Sequence, residues 1–300
     1  MFSGHLGKGV SLQRLSTLCL VSEAGGVMKA ADGDPNRQSQ YSRQLRELEE
    51  ALSISLVDRS SSPHRLTPAG IEIEHVTRKF FSEFDRVIKA HTGKGPIVRF
   101  GAGESIIQWL LLPVLTQRPL NDVVFRFHNQ RSRIAVDAVR NGRLDLAVVG
   151  LPDLPEDLGY ERIASYGMIL VARHDCFKKK RVSWRELSSK RLAVLEGAKL
   201  LHQKIEELGK GFTDPPTLGI ECTSYPQVIE AALHGDFIGV VPRIIETASL
   251  HPELTLWDVS ELANIVTDLH LIWHPESYAE RPEIRATVEF LIRRKSARSS

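Results

Sequence analysis

The N-terminal part of the chain repeats apolar residues every three or four positions, which is the spacing of one helix face. Three helices are predicted, over residues 12–23, 27–31 and 34–52. Glycine follows the first two, as it often does at helix ends. The third begins at Asp34-Pro35, an N-cap residue followed by a proline in the first turn, so its start is well marked.

Two short apolar segments around Val57 and Leu66 flank a Ser/Pro turn, and they predict a two-stranded wing. A longer helix follows Pro68, and its apolar residues alternate with charges at three- and four-residue spacing. Such a stripe is typical of a helix that dimerises, and Gly93-Lys94-Gly95-Pro96 would end it as a hinge. The predicted dimerisation residues are Ile73, Val76, Phe80, Phe84 and Val87.

Beyond Pro96 short β-branched segments alternate with helical ones. This alternation favours mostly parallel sheets covered by helices, and the length favours two sheets over one. The predicted strands lie at residues 97–101, 123–127, 144–149, 168–172, 192–195, 218–221, 237–241 and 269–273.

Composition restricts the class of protein. A hydrophobic share of 42% and a charged share of 25% over 300 residues are ordinary for a soluble globular protein with more than one core. The net charge is only +2, so any nucleic-acid binding must come from locally clustered charge. Cys19, Cys176 and Cys222 are far apart and lack a CxxC partner, which indicates neither a disulfide framework nor a zinc site. We expect a cytoplasmic protein without metal, cofactor or membrane segment.

The third helix carries the clearest candidate chemistry. Its outward residues are Arg, Gln, Asn and Ser, which reach phosphates and base edges in the DNA major groove, and no carboxylate precedes Glu47. The alternative is an amphipathic helix with a solvated polar face. In the wing, Arg59, His64 and Arg65 either approach the DNA backbone or belong to a solvated loop. The predicted DNA-binding residues are Asn36, Arg37, Gln38, Ser39, Ser42, Arg43, Arg46, Arg59, Arg65 and Thr67.

A small-molecule site is predicted in the second part of the chain. In two-lobed α/β folds ligands lie at the carboxyl ends of strands, beside helix N-termini. An anion suits such a site, although Glu104 and Glu196 leave a neutral or cationic ligand open. Each candidate could instead be a helix cap or a solvated loop residue. The candidates are Glu104, Ser105, Gln130, Ser132, Glu196, Lys199, Thr223 and Ser224.

Enzyme motifs are missing from the sequence. It contains no GxSxG, HExxH, GxxxxGK[ST] or GxGxxG, and Gly101-Ala102-Gly103 lacks the last glycine of a dinucleotide fingerprint. Cys176 and Cys222 lie near apolar strands, where an inert buried thiol is expected. We therefore predict that the protein is not an enzyme.

The residues at fixed spacing between Glu23 and Gly70 resemble the DNA-binding domain of the LysR family. Leu112-Pro113, residues 142–148 and residues 239–242 resemble, more diffusely, that family's periplasmic-binding-protein-like sensor domain. The matching N-terminal residues are Glu23, Gly25, Gly26, Ala30, Ala31, Gln38, Ser42, Gln44, Leu45, Leu48, Glu49, Leu56, Arg59, Leu66, Thr67 and Gly70.

Some positions depart from the family pattern. Arg37 replaces the usual serine, and Ser39 stands where proline is common. Asp34 replaces a buried leucine, and Val57 a phenylalanine. Because the start of the recognition helix lies closest to the bases, the departures indicate an altered base preference. Arg37 could contact guanine or a phosphate.

The resemblance implies an α/β protein with an N-terminal winged helix-turn-helix over 1–70, a linker and dimerisation helix over 71–95, and a two-lobed effector-binding domain over 96–300, its distal lobe roughly 163–266. It implies a transcriptional regulator that binds operator DNA as a homodimer or homotetramer, responds to a small molecule and has RNA polymerase as a candidate partner. The alternative is a small-molecule binding protein or enzyme on the same scaffold.

Overall fold

The computed structural model describes residues 9–60, 65–92, 95–117, 120, 123–179, 181–245 and 250–298. The predicted wing residue His64 and the hinge residues Gly93 and Lys94 lie outside these ranges. The chain divides into two compact units, Met1–Pro96 and Ile97–Ser300. In the part of the chain that the structure describes, no helix has the length and apolar character needed to cross a membrane.

The first unit is a winged helix-turn-helix followed by a long helix, as predicted. α1 ends at Gly25, whose left-handed φ of +74° is easily adopted by glycine. α3 begins at the predicted cap, where the Asp34 carboxylate accepts the N–H of Asn36 at 2.8 Å. The elements are α1 (Leu12–Ala24), α2 (Val27–Ala30), α3 (Pro35–Leu52), β1 (Val57–Asp58), β2 (Arg65–Leu66) and α4 (Pro68–Thr92), with β1 and β2 antiparallel.

A small apolar core holds α1, α3 and the wing together. Leu18 and Val21 of α1 pack with Leu45 and Leu48 of α3. The core also contains a polar contact, because the hydroxyl of Thr17 donates to the amide oxygen of the buried Gln44 at 2.6 Å. These contacts fix which face of α3 is turned inward.

The Leu-Thr-x-x-Gly segment joins the wing to α4. The Thr67 hydroxyl donates to the carbonyl of Ser55 at 2.7 Å and accepts the N–H of Gly70 at 3.0 Å. A Cβ at Gly70 would lie 2.1 Å from the carbonyl oxygen of Leu56, so only glycine allows this close approach. Thr67 and Gly70 therefore hold the start of α4 against Ser55 and Leu56, which lie between α3 and β1.

In the part of the second unit that the structure describes, there are eleven strands and a set of helices of very different length. The strands are β3 (Ile97–Ala102), β4 (Val124–Asn129), β5 (Leu146–Val149), β6 (Gly159–Tyr166), β7 (Met168–Arg173), β8 (Arg181–Val182), β9 (Arg191–Leu195), β10 (Thr217–Cys222), β11 (Phe237–Pro242), β12 (Leu254–Val259) and β13 (Thr267–Trp273). The helices are α5 (Glu104–Ile106), a π-helix (Ile107–Leu111), α6 (Leu112–Leu115), α7 (Ser132–Arg140), a 3-10 helix (Trp184–Leu187), α8 (Lys199–Gly209), α9 (Tyr225–His234), α10 (Ser260–Ala263), α11 (Pro275–Glu280) and α12 (Pro282–Arg298).

The strands form two sheets, and each sheet belongs to one lobe. The first lobe has the order β4-β3-β5-β13-β6, in which β3 is parallel to β4 and β5, and β13 is antiparallel to β5 and β6. The distal lobe has the order β10-β9-β11-β7-β12-β8, in which β7 is antiparallel to both its neighbours and the other pairs are parallel. Two sheets were predicted and two are found. Five of the nine strand pairs described in them are parallel, as the pattern favoured, and β7 and β13 add the four antiparallel pairs.

The sequence pattern missed β6, β8 and β12. β6 is an edge strand whose exposed side chains alternate with half-buried ones, so no continuous apolar segment marks it. It pairs with β13 from Gly159 to Tyr166, and the chain then enters the distal lobe at Gly167. The predicted start of the distal lobe near residue 163 therefore falls within a strand of the first lobe.

A buried ionic cluster joins the beginning and the end of the second unit. Asp145, at the start of β5, accepts hydrogen bonds from the Arg99 backbone and guanidinium at 2.7 and 2.8 Å and from Arg281. Arg281 also donates to Glu283 and to the carbonyl of Ile97 at 3.1 Å. Burial alone raises the pKa of Asp145, but the two guanidinium groups outweigh it and hold the pKa below its ordinary value.

Candidate nucleic-acid interface and effector cleft

The outward face of α3 presents the predicted DNA-binding side chains to solvent. Arg37 and Arg43 have 61% and 75% of their side chains exposed, and Arg46 is exposed as well. The exposed polar residues beside them are Asn36, Gln38 and Ser39, and Ser42 is partly buried. The opposite face carries Leu45 and Leu48 in the core. The structure thus separates a polar face from a packed face, as the pattern predicts.

Two of the arginines on this face form loose ion pairs. Arg37 lies 3.6 Å from Asp34, and Arg43 lies 3.6 Å from Glu47. Exposed pairs at such distances contribute between about 0 and 1 kcal/mol. A phosphate or a guanine edge can therefore replace these carboxylates at little cost.

Arg59 has a different environment from the arginines of α3. Its guanidinium lies 2.6 Å from Glu49, and Glu49 also accepts the N–H groups of Leu56 and Val57 at 2.8 and 3.0 Å. Burial alone raises the pKa of Glu49, but these hydrogen bonds lower it below its ordinary value. Arg59 and Glu49 together hold the end of α3 to β1, and this role of Glu49 was not predicted.

Two further predicted contacts lie in the wing. Arg65 is exposed at the start of β2. Thr67 uses its hydroxyl at the start of α4, so the structure gives it a role in folding. A DNA contact from either residue stays a prediction.

The apolar stripe of α4 divides into two parts. Ile73 is partly buried against the core of the first unit. Val76, Phe80, Phe84 and Val87 are exposed, and the rings of Phe80 and Phe84 are stacked with centroids 6.0 Å apart. Ile73 therefore packs within its own unit, while the other residues form an exposed apolar face.

The predicted effector residues follow the carboxyl ends of strands in both lobes. Glu104 and Ser105 follow β3, and Gln130 and Ser132 follow β4. In the distal lobe, Glu196 and Lys199 follow β9, and Thr223 and Ser224 follow β10. The lobes approach each other here, because α5 lies against α9 and Arg131 lies 3.3 Å from Glu196.

Several of these side chains are already bound to their own lobe. The Ser132 hydroxyl accepts the N–H of Gly150 at 3.2 Å, and the Thr223 hydroxyl donates to Gln227 at 3.0 Å. Glu104 and Lys199 are exposed, whereas Ser105 and Ser224 are buried.

Gln130 stands out among the effector candidates. Its side-chain oxygen is buried and has no hydrogen-bond partner among the described residues. A buried acceptor without a donor is costly, so this atom is a candidate acceptor for a water molecule or for a ligand that donates a hydrogen bond. The sequence analysis did not predict Arg131, the adjacent cation at the start of α7. Its position between the candidates Gln130 and Ser132 could have identified it.

The three cysteines are unpaired. Cys19 and Cys222 are buried, and Cys176 is partly buried. Burial raises the pKa of all three thiols, that of Cys19 to about 11. A protonated thiol is a poor nucleophile, which agrees with the expectation of inert cysteines.

A winged helix-turn-helix joined to a two-lobed domain with a cleft defines a ligand-sensing DNA-binding regulator. Family models match both parts: "Bacterial regulatory helix-turn-helix protein, lysR family" over residues 12–71 and "LysR substrate binding domain" over residues 91–296. The chain belongs to the LysR family. It is a DNA-binding transcriptional regulator with an effector-binding domain.

Relatives and solved structures agree with this assignment. The HTH-type transcriptional regulator EstR of Acinetobacter baylyi is 28% identical over 193 residues, covering 62% of this chain and 64% of EstR, slightly under two thirds of that relative. Full-length OxyR of Pseudomonas aeruginosa is 18% identical and superposes with a TM-score of 0.63 over 95% of this chain and 94% of OxyR. CbnR in complex with its target DNA is 19% identical, with a TM-score of 0.60 over 95% of this chain and 100% of CbnR. At these identities the two structures show the shared fold.

Proposed function

We propose that the protein binds operator DNA in the cytoplasm, as a homodimer or homotetramer, through the outward face of α3. The observation that carries the proposal is the exposed row of Arg37, Arg43 and Arg46 on a helix whose opposite face is packed. Arginine suits both phosphates and guanine edges, and the first residues of such a helix enter the major groove. Arg65 extends the basic surface into the wing.

The exposed apolar face of α4 supports the oligomer. Val76, Phe80, Phe84 and Val87 lie on one side of a long helix, and an exposed apolar stripe of this kind marks an interface. A second copy of α4 is the partner that matches the stripe, because identical helices can interdigitate along it. Two copies would present two recognition helices to a two-fold symmetric operator.

The cleft between the lobes is the proposed effector site. The helices α7, α8 and α9 begin at its edge, and their free N–H groups favour a negatively charged group. The unpartnered oxygen of Gln130 adds an acceptor, which favours a ligand that also donates a hydrogen bond. A small polar anion with a hydroxyl or amino group fits this combination.

The Arg131–Glu196 pair offers a way to couple the ligand to the lobes. Both side chains are largely exposed, so the pair contributes little energy and the cleft can open or close readily. A ligand shifts this equilibrium only by its differential affinity for the two arrangements, typically about 1–3 kcal/mol of coupling. We expect a changed footprint on DNA more readily than complete release.

Selection from randomised duplex DNA tests the binding face. The wild-type chain should enrich one sequence with two related half-sites. Arg37→Ser should change the preferred base at the same position of each half-site, if Arg37 contacts guanine. Arg293→Ser, an exposed arginine of α12 in the second unit, is the matched control and should leave the selected sequence unchanged. A library without enrichment would contradict the proposed binding face.

A thermal-shift screen of small hydroxy and amino acids on the full chain tests the cleft. The ligands that stabilise the wild type should lose most of their effect on Gln130→Leu, which removes the unpartnered oxygen and keeps the side-chain bulk. An equal shift in both proteins would place the ligand elsewhere.

A further inference from the structure

A cavity of about 490 Å³ lies in the second unit and contains none of the predicted effector residues. Its walls come from the π-helix and α6, from β6, from the segment after β11 and from α12. This volume lies within the range of about 300–1,000 Å³ that small-molecule sites occupy. We call it the hinge cavity because of its position at the crossing between the lobes.

Both lobes contribute to the hinge cavity. Its β6 wall ends at Ser165, two residues before Gly167, where the chain enters the distal lobe. The N–H of Arg243 donates to the Gly167 carbonyl at 2.9 Å. Trp109 belongs to the π-helix of the first lobe, but its buried ring packs within the core of the distal lobe. A molecule in this cavity would therefore contact groups that hold the two lobes together.

The walls combine an apolar surface with positive charge. The apolar part includes Leu110, Val114, Ile163 and Leu291, and the cations are Arg162, Arg243 and Arg294. No carboxylate is among the described residues that line it.

Among the described residues, the charges around the cavity do not cancel. Arg162 lies 3.3 Å from Asp268, and Arg243 pairs with Asp258, but neither carboxylate lines the cavity. Arg294 lies over the ring of Phe290 with its guanidinium carbon 5.7 Å from the ring centre. Three guanidinium groups thus face two neighbouring carboxylates, and a negative charge in the cavity would balance the third.

The π-helix gives a second indication. Pro113 follows it and has no N–H to donate to the carbonyl of Trp109, which accounts for the departure from α-helical bonding. Short π segments inside helices occur frequently at functional sites. This one supplies Trp109, Leu110 and Leu111 to the cavity wall.

We propose that the hinge cavity binds a small organic carboxylate with an apolar body, at a site separate from the cleft. The apolar walls hold the body, and the arginines hold the carboxylate at the rim. Occupancy stabilises the lobe arrangement in which Trp109 and Arg243 keep their present contacts. The proposal does not depend on the effector of the cleft.

Octanoate is the probe for this site, with octanamide as its neutral counterpart. On the full-length chain, octanoate should quench tryptophan fluorescence and displace 8-anilinonaphthalene-1-sulfonate, which is itself an apolar anion. Octanamide should bind about tenfold more weakly, as expected for the loss of one charge-assisted interaction. Equal binding of octanoate and octanamide, or no binding of octanoate at millimolar concentration, would overturn the proposal.

Four variants locate the probe. Arg294→Gln should weaken octanoate about tenfold. Arg293→Gln, one residue away and outside the cavity wall, should not. Ala164→Leu should fill the space and abolish binding, with its folding checked by thermal unfolding. An unchanged affinity in Arg294→Gln, or an equal loss in Arg293→Gln, would overturn the proposal whatever Ala164→Leu does. Gln130→Leu should leave octanoate binding intact, so failure of the cleft assignment is distinguishable from failure of this one.

Discussion

Two sets of arginines, one on α3 and one in the ionic cluster of the first lobe, are used in opposite ways. On α3, Arg37 and Arg43 are mostly exposed and only loosely paired. In the first lobe, Arg281 is 10% exposed and Asp145 is 3% exposed, and the two are in direct contact with each other. The same type of side chain is available to a partner on α3 and committed to the fold in the ionic cluster.

Exposure to solvent explains why the loss of an exposed charged side chain and the loss of a buried one should cost the fold different amounts of free energy. An exposed guanidinium is hydrated and screened, so its removal costs the fold little. A buried carboxylate has lost its water, and its guanidinium partners must replace that hydration. The DNA-binding unit should therefore tolerate loss of its functional side chains, and the sensor unit should not tolerate loss of its buried ones. Four sets of variants, on α4 and at Asp145, Arg43 and Arg59, test this contrast.

Substitutions on the exposed face of α4 should have the largest effect, and we expect it on assembly and not on folding. About half of each Phe80 and Phe84 ring is exposed, so burying four rings in a dimer would contribute about 3–6 kcal/mol, at about 1.5–3 kcal/mol for a fully buried ring. Phe80→Glu/Phe84→Glu should give a folded monomer by light scattering. Ser82→Glu, on the other side of the helix, is the control. An unaltered oligomer in the double variant would contradict the assignment.

Asp145→Asn should be the most damaging single change to folding. It leaves Arg99 and Arg281 without their shared carboxylate, which should lower the free energy of unfolding by about 3–5 kcal/mol. Urea unfolding of the full chain measures this. Asp137→Asn, an exposed carboxylate on α7, should change stability by less than about 0.5 kcal/mol. Equal stability of the two variants would contradict the claim that the buried carboxylate contributes more to folding than the exposed one.

Arg43→Ala should weaken DNA binding and leave the stability of the fold nearly unchanged, which is the reverse of the effect expected for Asp145→Asn. We expect operator affinity to fall by about 1–3 kcal/mol, while the free energy of unfolding changes by less than about 0.5 kcal/mol. Titration of the selected operator at fixed salt measures the first quantity, and urea unfolding measures the second. Arg293→Ala provides the comparison. A variant that unfolds more easily but binds DNA normally would show that Arg43 is structural.

Arg59→Ala tests an intermediate case, because Arg59 is partly exposed but forms an ion pair with Glu49. Its loss should cost about 1–2 kcal/mol of stability at neutral pH. Glu49 has a lowered pKa when folded, so its contribution is present above the unfolded pKa and is lost as pH falls through the folded one. The difference between wild type and variant should therefore shrink as the pH falls below about 4. A difference independent of pH would show that Arg59 acts without Glu49.

Local signals in the sequence determined much of the first unit. Asp34-Pro35 set the start of α3, and Gly25 ended α1, because caps and left-handed glycines act through neighbouring residues. The same periodicity indicated which side of α3 is packed. The predicted DNA-binding face could therefore be located without the structure.

Tertiary structure alone decided the features that join distant segments. β6 becomes a strand because it pairs with β13, which lies about a hundred residues further along the chain. Asp145 is buried beside Arg99 and Arg281, which are 46 and 136 residues away from it. The hinge cavity likewise needs β6, the end of β11 and α12 to meet. Local patterns reflect the period of helices and strands, whereas these contacts depend on how whole elements pack, and one sequence window contains no information on its distant partner.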